Sequence, residues 1–387
     1  MEIKKRKISK REISRRDFLK AGGFSLATLG SLIGLSRFAE PKRTVEAAPL
    51  YEYSLSGHTH GGAGAVGTVD HEANGFHPME ILYDFDYGTV TEENGRTVRE
   101  WTILAMDKEF EIAPGIFFPG WVYGSQTSAA SQRAGRIVGQ CPGPTLRCIE
   151  GELLRIKFIN AGTHPHTIHF HGIHSAFMDG VPNVGRGEIN TSEEFTYEFD
   201  AKPFGCHLYH CHAIPLKRHV HKGLYGAFIV DPDPEKYEGE EREIAKTRNH
   251  TYPENENVNE MIIVMNGFDT KFDGDNEIYA ANSIGFAYMN EPITIRGDQL
   301  QRLYLVNMTE FDPINSIHIH ANFFDYYDHG TTLQPTLKTV DTVMQCQAQR
   351  GIIEFSFADF EPGLYMFHAH QSEFAELGWM SFFELEG

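Results

Sequence analysis

The sequence predicts an all-β protein built from two tandem sandwich domains. Three observations lead there. The body contains one unit twice: PGPTLRCIEGELLRIKFINAG, HPHTIHFHG and EEFTYEFDAKPFGCHLYHCH return as EPITIRGDQLQRLYLVNM, NSIHIHANF and IIEFSFADFEPGLYMFHAH. Each copy reads as short alternating strands cut by Gly, Pro and Asn turns, the spacing of antiparallel sandwiches or barrels. The composition, with 37 Gly, 28 Phe and 16 Tyr in 387 residues, suits a turn-rich β protein, and helical periodicity is scarce beyond the N-terminus.

Along the chain, residues 1–47 read as a twin-arginine signal. Ser14-Arg15-Arg16-Asp17-Phe18-Leu19-Lys20 carries the motif, the apolar run Ala21 to Leu35 is too short to span a membrane, and Ala47-Ala48 offers a cleavage site. The expected location is periplasmic or extracellular, with no membrane span in the mature chain. Residues 48–135 are an N-terminal extension and the start of domain 1; they include His58-Thr59-His60, with His71 and His77 nearby, read as a flexible loop with exposed histidines, an extra copper site or a cover over the electron-entry surface. Domain 1 follows over 136–232, a charged, Pro-bearing linker over 233–258, and domain 2 over 259–387. The net charge of −19 divides into +7 for the first 47 residues (12 basic, 5 acidic) and −26 for the rest (22 basic, 48 acidic), which argues against nucleic acid as a partner.

The chemistry concentrates at His210-Cys211-His212. On a strand, successive side chains alternate faces, so Cys211 points away from His210 and His212. In HPHTIHFHG, His169 and His171 share a face and His166 takes the other. His166, Cys211 and His219 form a two-histidine, one-thiolate set, the ligand set of a blue copper; His221 is the rival of His219, and Leu224, five residues on, stands at the axial position and cannot ligate. Four His-x-His pairs remain: His169/His171, His210/His212, His318/His320 and His368/His370. The first two map onto the last two at shifts of 149 and 158, whereas His166 becomes Asn315 and Cys211 becomes Ala369 at those shifts. Eight imidazoles suit a three-copper cluster; a structural zinc would leave most of them unexplained. Cys141, Cys148, Cys206 and Cys346 are left with open connectivity.

HPHTIHFHG, PFGCHLYHCH and FHAHQSEFAELG resemble the two-domain multicopper oxidases, the laccase-like group, from about Pro142 to Gly387. The resemblance implies two tandem cupredoxin-like Greek-key β-sandwich domains with the blue copper in domain 1 alone. It implies about four coppers per chain: one type 1, one type 2 at His169 and His318, and two type 3 at His171, His210, His212, His320, His368 and His370. It further implies a homotrimer whose trinuclear sites lie between subunits. The expected reaction is one-electron oxidation of a small reductant (phenols, aromatic amines or metal ions) coupled to reduction of O2 to water, with His210, Cys211 and His212 as the path between sites. Glu373, Glu376 and Asp325 are candidate proton donors by position in the sequence. Copper nitrite reductase is the alternative; its pattern has an aspartate where His169 stands and no second histidine at the position of His212. A non-catalytic copper electron carrier is the third reading.

Overall fold

In the computed structural model, which describes residues 67–387, each copy of the repeat becomes a pair of β-sheets. The signal segment and His58-Thr59-His60 lie outside the described residues. In domain 1 one sheet runs Phe85–Asp86, Gly143–Ile149, Tyr225–Asp231, Gly205–His210, His169–Phe170. The other runs Thr89–Glu93, Arg96–Ala113, Leu153–Asn160, Glu194–Asp200, with Ile116–Ser125 also paired to Arg96–Ala113. Domain 2 repeats the plan with a six-stranded sheet from Ile278–Ala281 to Leu337–Val340 and a five-stranded sheet from Ile293–Arg296 to Thr342–Cys346. No described helix is long and apolar enough to cross a membrane.

The sheets are mixed, a correction to the antiparallel expectation. The strand opening each copy pairs in parallel with the strand closing it: Gly143–Ile149 with Tyr225–Asp231, and Ile293–Arg296 with Met380–Glu386. Two further parallel pairs join Arg96–Ala113 to Leu153–Asn160 and Val258–Phe268 to Leu300–Asn307. Side-chain alternation has the same period in both kinds of ladder, so the sequence pattern does not distinguish them. The stretch read as a linker carries the helix Gly239–Thr247, tied back by Asn249 Nδ2 to Pro232 O (2.9 Å) and by Arg248 to Thr332 O (2.7 Å).

Strand Gly205–His210 is buried on both faces, and this positions the metal ligands. Cys206 and Leu208 join Ile262, Val264, Val306 and Ile352 in an apolar core shared by the two domains. Tyr209 and Cys211 face the opposite way, into the core of domain 1 with Ile168, Phe170 and Leu224. A one-residue slip would exchange the two sets, so burial on both sides fixes the register.

A charged network seals the same junction. Buried Arg147 donates to Asp231 (3.0 Å) and to Glu260 of domain 2 (2.6 Å); Glu260 also accepts from Arg302 (3.1 Å) and Tyr304 (2.8 Å). Burial alone would raise the Glu260 carboxyl, but Arg147 and Arg302 outweigh it and hold it down to about 2. A carboxyl depressed in the folded state adds stability above its unfolded value, about 4.3, and loses it as pH falls through the folded one. The Glu260 contribution is therefore expected to be complete at neutral pH and lost only toward about pH 2. Urea midpoints of wild type and Glu260→Gln, compared from neutral pH downward, check this: their difference should shrink only below about pH 4.3.

Candidate metal centre

The three predicted ligands of the thiolate site converge. Cys211 Sγ lies 3.2 Å from His219 Nδ1 and 3.9 Å from His166 Nδ1, and the two Nδ1 atoms are 3.2 Å apart. Exposure is 0% for His166 and Cys211 and 2% for His219. Cys211 and His212 follow the end of strand Gly205–His210, and Cys211 N donates to Leu224 O (2.9 Å), which ties the thiol segment to the segment after His219. Thr167 N donates to Cys211 Sγ at 3.3 Å, the contact a thiolate prefers. Leu224 is fully buried in the same apolar cluster as Cys211.

His221 lies apart from the three-residue cluster. Its Nε2 accepts from Asp269 N (3.1 Å), and its ring packs among Phe118, Phe272 and Phe311. Burial pushes the Cys211 thiol up to about 11 and holds His166 to about 3 and His219 to about 4. Two neutral imidazoles and a sulfur, gathered in a dry pocket around a common point, suit a soft or borderline transition metal, copper above all.

The eight remaining histidines form two quartets of matching build. In domain 1, His169 pairs with His210 across the sheet, and His171 Nε2 lies 3.2 Å from His210 Nε2. In domain 2, His318 pairs with His368, and His320 Nε2 lies 2.9 Å from His368 Nε2. His212 stands 5.4 Å from His169 between ring centroids, and His370 stands 5.3 Å from His318.

The outer nitrogens match as well. His169 Nδ1 donates to Asp179 O and His318 Nδ1 to Asp341 O, both at 2.8 Å. His210 Nδ1 donates to Cys211 O (2.9 Å) and His368 Nδ1 to Ala369 O (2.5 Å). Each bond leaves Nε2 bare for a metal. Even the main chain agrees: His212 N donates to Thr167 Oγ1 and His370 N to Ser316 Oγ, each at 2.9 Å. Burial lowers His171 to about 2 and His210 to about 4, and it lowers His169, His320 and His368 as well.

The quartets stay apart within the chain. Among the described residues, every close contact between these rings falls inside one quartet. His320 and His370 are exposed, so the second quartet opens to solvent.

Several neighbours escaped the sequence reading. Asp179 puts a carboxylate oxygen 3.1 Å from His169 Nδ1, from a loop with no motif of its own. Arg350 of domain 2 reaches His171 Nδ1 and His207 Nδ1, each at 3.4 Å. Trp121 and His164 pack beside the thiolate site. Of the sequence-based proton donors, Asp325 accepts from Thr339 N (3.1 Å), while Glu373 lines an acidic cavity with Asp273, Asp275 and Asp312. All five cysteines are free; Cys141, Cys148 and Cys206 are buried as small apolar side chains and Cys346 is exposed.

Two family models, both described as multicopper oxidase, match residues 122–235 and 251–386. A solved structure described as a multicopper oxidase is 49% identical, covers 82% of this chain and 100% of its own, and superposes with a TM-score of 0.71. A copper-containing nitrite reductase from Thermus scotoductus, 20% identical over 75% of this chain and 62% of its own, has a TM-score of 0.60 and shares the fold. Copper resistance protein A of Escherichia coli is 35% identical over 117 residues, 29% of this chain and 19% of that protein. The chain thus spans about a fifth or less of the length of the curated relatives it matches. With both domains matched by family models and a full-length structural relative at 49% identity, the chain belongs to the multicopper oxidase family.

Proposed function

We propose that the chain is a laccase-like oxidase, taking single electrons from a reductant such as a phenol, an aromatic amine or a metal ion and using four to reduce O2 to water. The observation that carries this reading is the pair of matched histidine quartets, with Cys211 bonded through the main chain to His210 and His212 of the first. Copper held at these residues supplies one-electron exchange at the thiolate and dioxygen chemistry at the imidazoles. The chain supplies the rest. Burial keeps the His171 and His210 rings unprotonated and able to ligate at neutral pH. The carbonyls of Asp179 and Asp341 hold the protons of His169 and His318 at Nδ1. The bond from His210 Nδ1 to Cys211 O adds a second, non-covalent link between the two sites.

His169 stands where the nitrite reductase pattern requires an aspartate, and His212 adds a ligand that pattern lacks; both favour the oxidase. The separation of the quartets supports a homotrimer in which the first quartet of one copy meets the second quartet of the next. Exposed apolar side chains flank both: Ile173, Phe177 and Ile214 beside the first in sequence, Phe323 and Met344 beside the second. The SRRDFLK motif supports a working location in the periplasm or the exterior.

Copper analysis with electron paramagnetic resonance tests the reading. The expected result is about four coppers per chain, two of them silent, with O2 consumed when a phenol is supplied. Two visible coppers and nitric oxide from nitrite would instead identify the reductase. A single copper at Cys211 without O2 uptake would identify a carrier.

A further inference from the structure

Both histidines of the thiolate site are closed off from solvent, so an electron donor cannot touch either one directly. His166 is 0% and His219 2% exposed, and His166 Nε2 is buried without a hydrogen-bond partner. A single aromatic side chain touches both rings from outside. The Trp121 ring centroid lies 4.8 Å from that of His219 and 5.3 Å from that of His166. The half-buried His164 ring lies 4.5 Å from the indole, and the exposed Arg218 guanidinium sits 5.1 Å above it.

This stack is firmly held. Trp121 lies on strand Ile116–Ser125, and its N donates to Lys222 O (2.8 Å), one residue beyond the helix Leu216–His221 that carries His219. His164 is fixed by the hydrogen bond between its Nδ1 and Thr163 Oγ1 (2.9 Å) and by Asn160 Nδ2 donating to its carbonyl (2.7 Å). Trp121 is itself 5% exposed, so the more accessible side chains against the indole are the half-buried His164 and the exposed Arg218.

We propose that electrons enter through this stack: a donor docks on His164 and Arg218, and the Trp121 indole couples it electronically to His219 and His166. One electron leaves the donor, which is oxidised by one unit and, if a phenol, releases its hydroxyl proton to water; the electron would reduce by one unit the Cu(II) held at His166, Cys211 and His219, and Trp121 ends unchanged. The proposal rests on the oxidase reading and adds the route by which reductant reaches it. The competing role for Trp121 is a lid that only keeps water out. The two roles predict opposite signs, because removing a lid opens the ligand rings to the donor and removing a relay lengthens the gap.

The test is stopped-flow bleaching of the Cys211–copper absorption by hydroquinone without O2, in the copper-loaded full chain and its Trp121→Phe and Trp121→Leu variants. An unchanged absorption and paramagnetic spectrum establishes that each variant keeps the site. The expected order is wild type, then Phe, then Leu, with Leu slower by about tenfold or more. Tryptophan emission gives a second reading: copper loading should quench wild type strongly and the variants less, since Trp101 and Trp379 are the other two of three indoles. Equal or faster bleaching in the variants with intact spectra overturns the relay. If Trp121→Leu does not fold, Trp121→Phe carries the same decision. Absence of the absorption from wild type would sink the oxidase reading itself, a distinguishable failure.

Discussion

Replacing Cys211 with Ser is expected to abolish the visible absorption and bring O2 consumption to background while the quartets keep their copper. The thiolate is the one soft ligand in the set, and a hydroxyl cannot replace it as a donor to copper. The change is small in volume and leaves the main chain untouched, so His210 and His212 stay on the strand end and the bond from His210 Nδ1 to Cys211 O is kept. Loss of turnover would then come from the missing electron path and not from an unmade cluster. Cys206→Ser is the control. Cys206 is equally buried but belongs to the core between the domains, so its loss should cost stability and leave the colour. A blue, fully active Cys211→Ser protein would contradict the assignment.

The second large effect is the converse. Removing His318 and His320 together should stop O2 consumption and leave the blue absorption of Cys211 as it was. Domain 2 contributes no ligand to the thiolate site: at the positions of His166 and Cys211 it has Asn315 and Ala369, both buried. Asn315 Nδ2 donates to Thr309 Oγ1 at 2.8 Å, an ordinary core amide. The quartet in domain 2 is nonetheless built as carefully as that in domain 1, with the same carbonyl partners behind the same rings. A chain that is blue without it but reduces O2 only with it needs both domains for one reaction.

Much of this was legible in the sequence because the repeat kept its own register. The four His-x-His pairs, spaced by two on strand ends, fix which rings share a face whatever the rest of the sheet does. That is why His169/His171 and His318/His320 fall in equivalent places although the surrounding loops differ. The sequence favoured His219 over His221 because Leu224 then falls at the axial spacing; Leu216–His221 is a helical turn and not a strand, so strand alternation could add nothing, and the aromatic cage around His221 favours the same choice. The parallel strand pairs were invisible for a related reason, since they join segments about eighty residues apart and alternate like any other strand. Trp121 and Asp179 were missed because neither belongs to the repeat. Trp121 comes from a strand in the stretch read as an N-terminal extension and the start of domain 1, which carries no repeated motif, and Asp179 from a loop whose one useful atom beside its carboxylate is a backbone carbonyl.

On the proposed reading, two half-sites in one chain become whole between copies. This is tested most directly by co-expressing two inactive chains: one lacking His169 and His171, the other lacking His318 and His320, each with its own tag. Each alone should be blue and unable to consume O2. In a closed ring of three, every mixed assembly holds one junction at which an intact first quartet meets an intact second quartet, so equal co-expression should restore about a quarter of the wild-type rate. Mixed rings, isolated through both tags and blue but unable to consume O2, would contradict it.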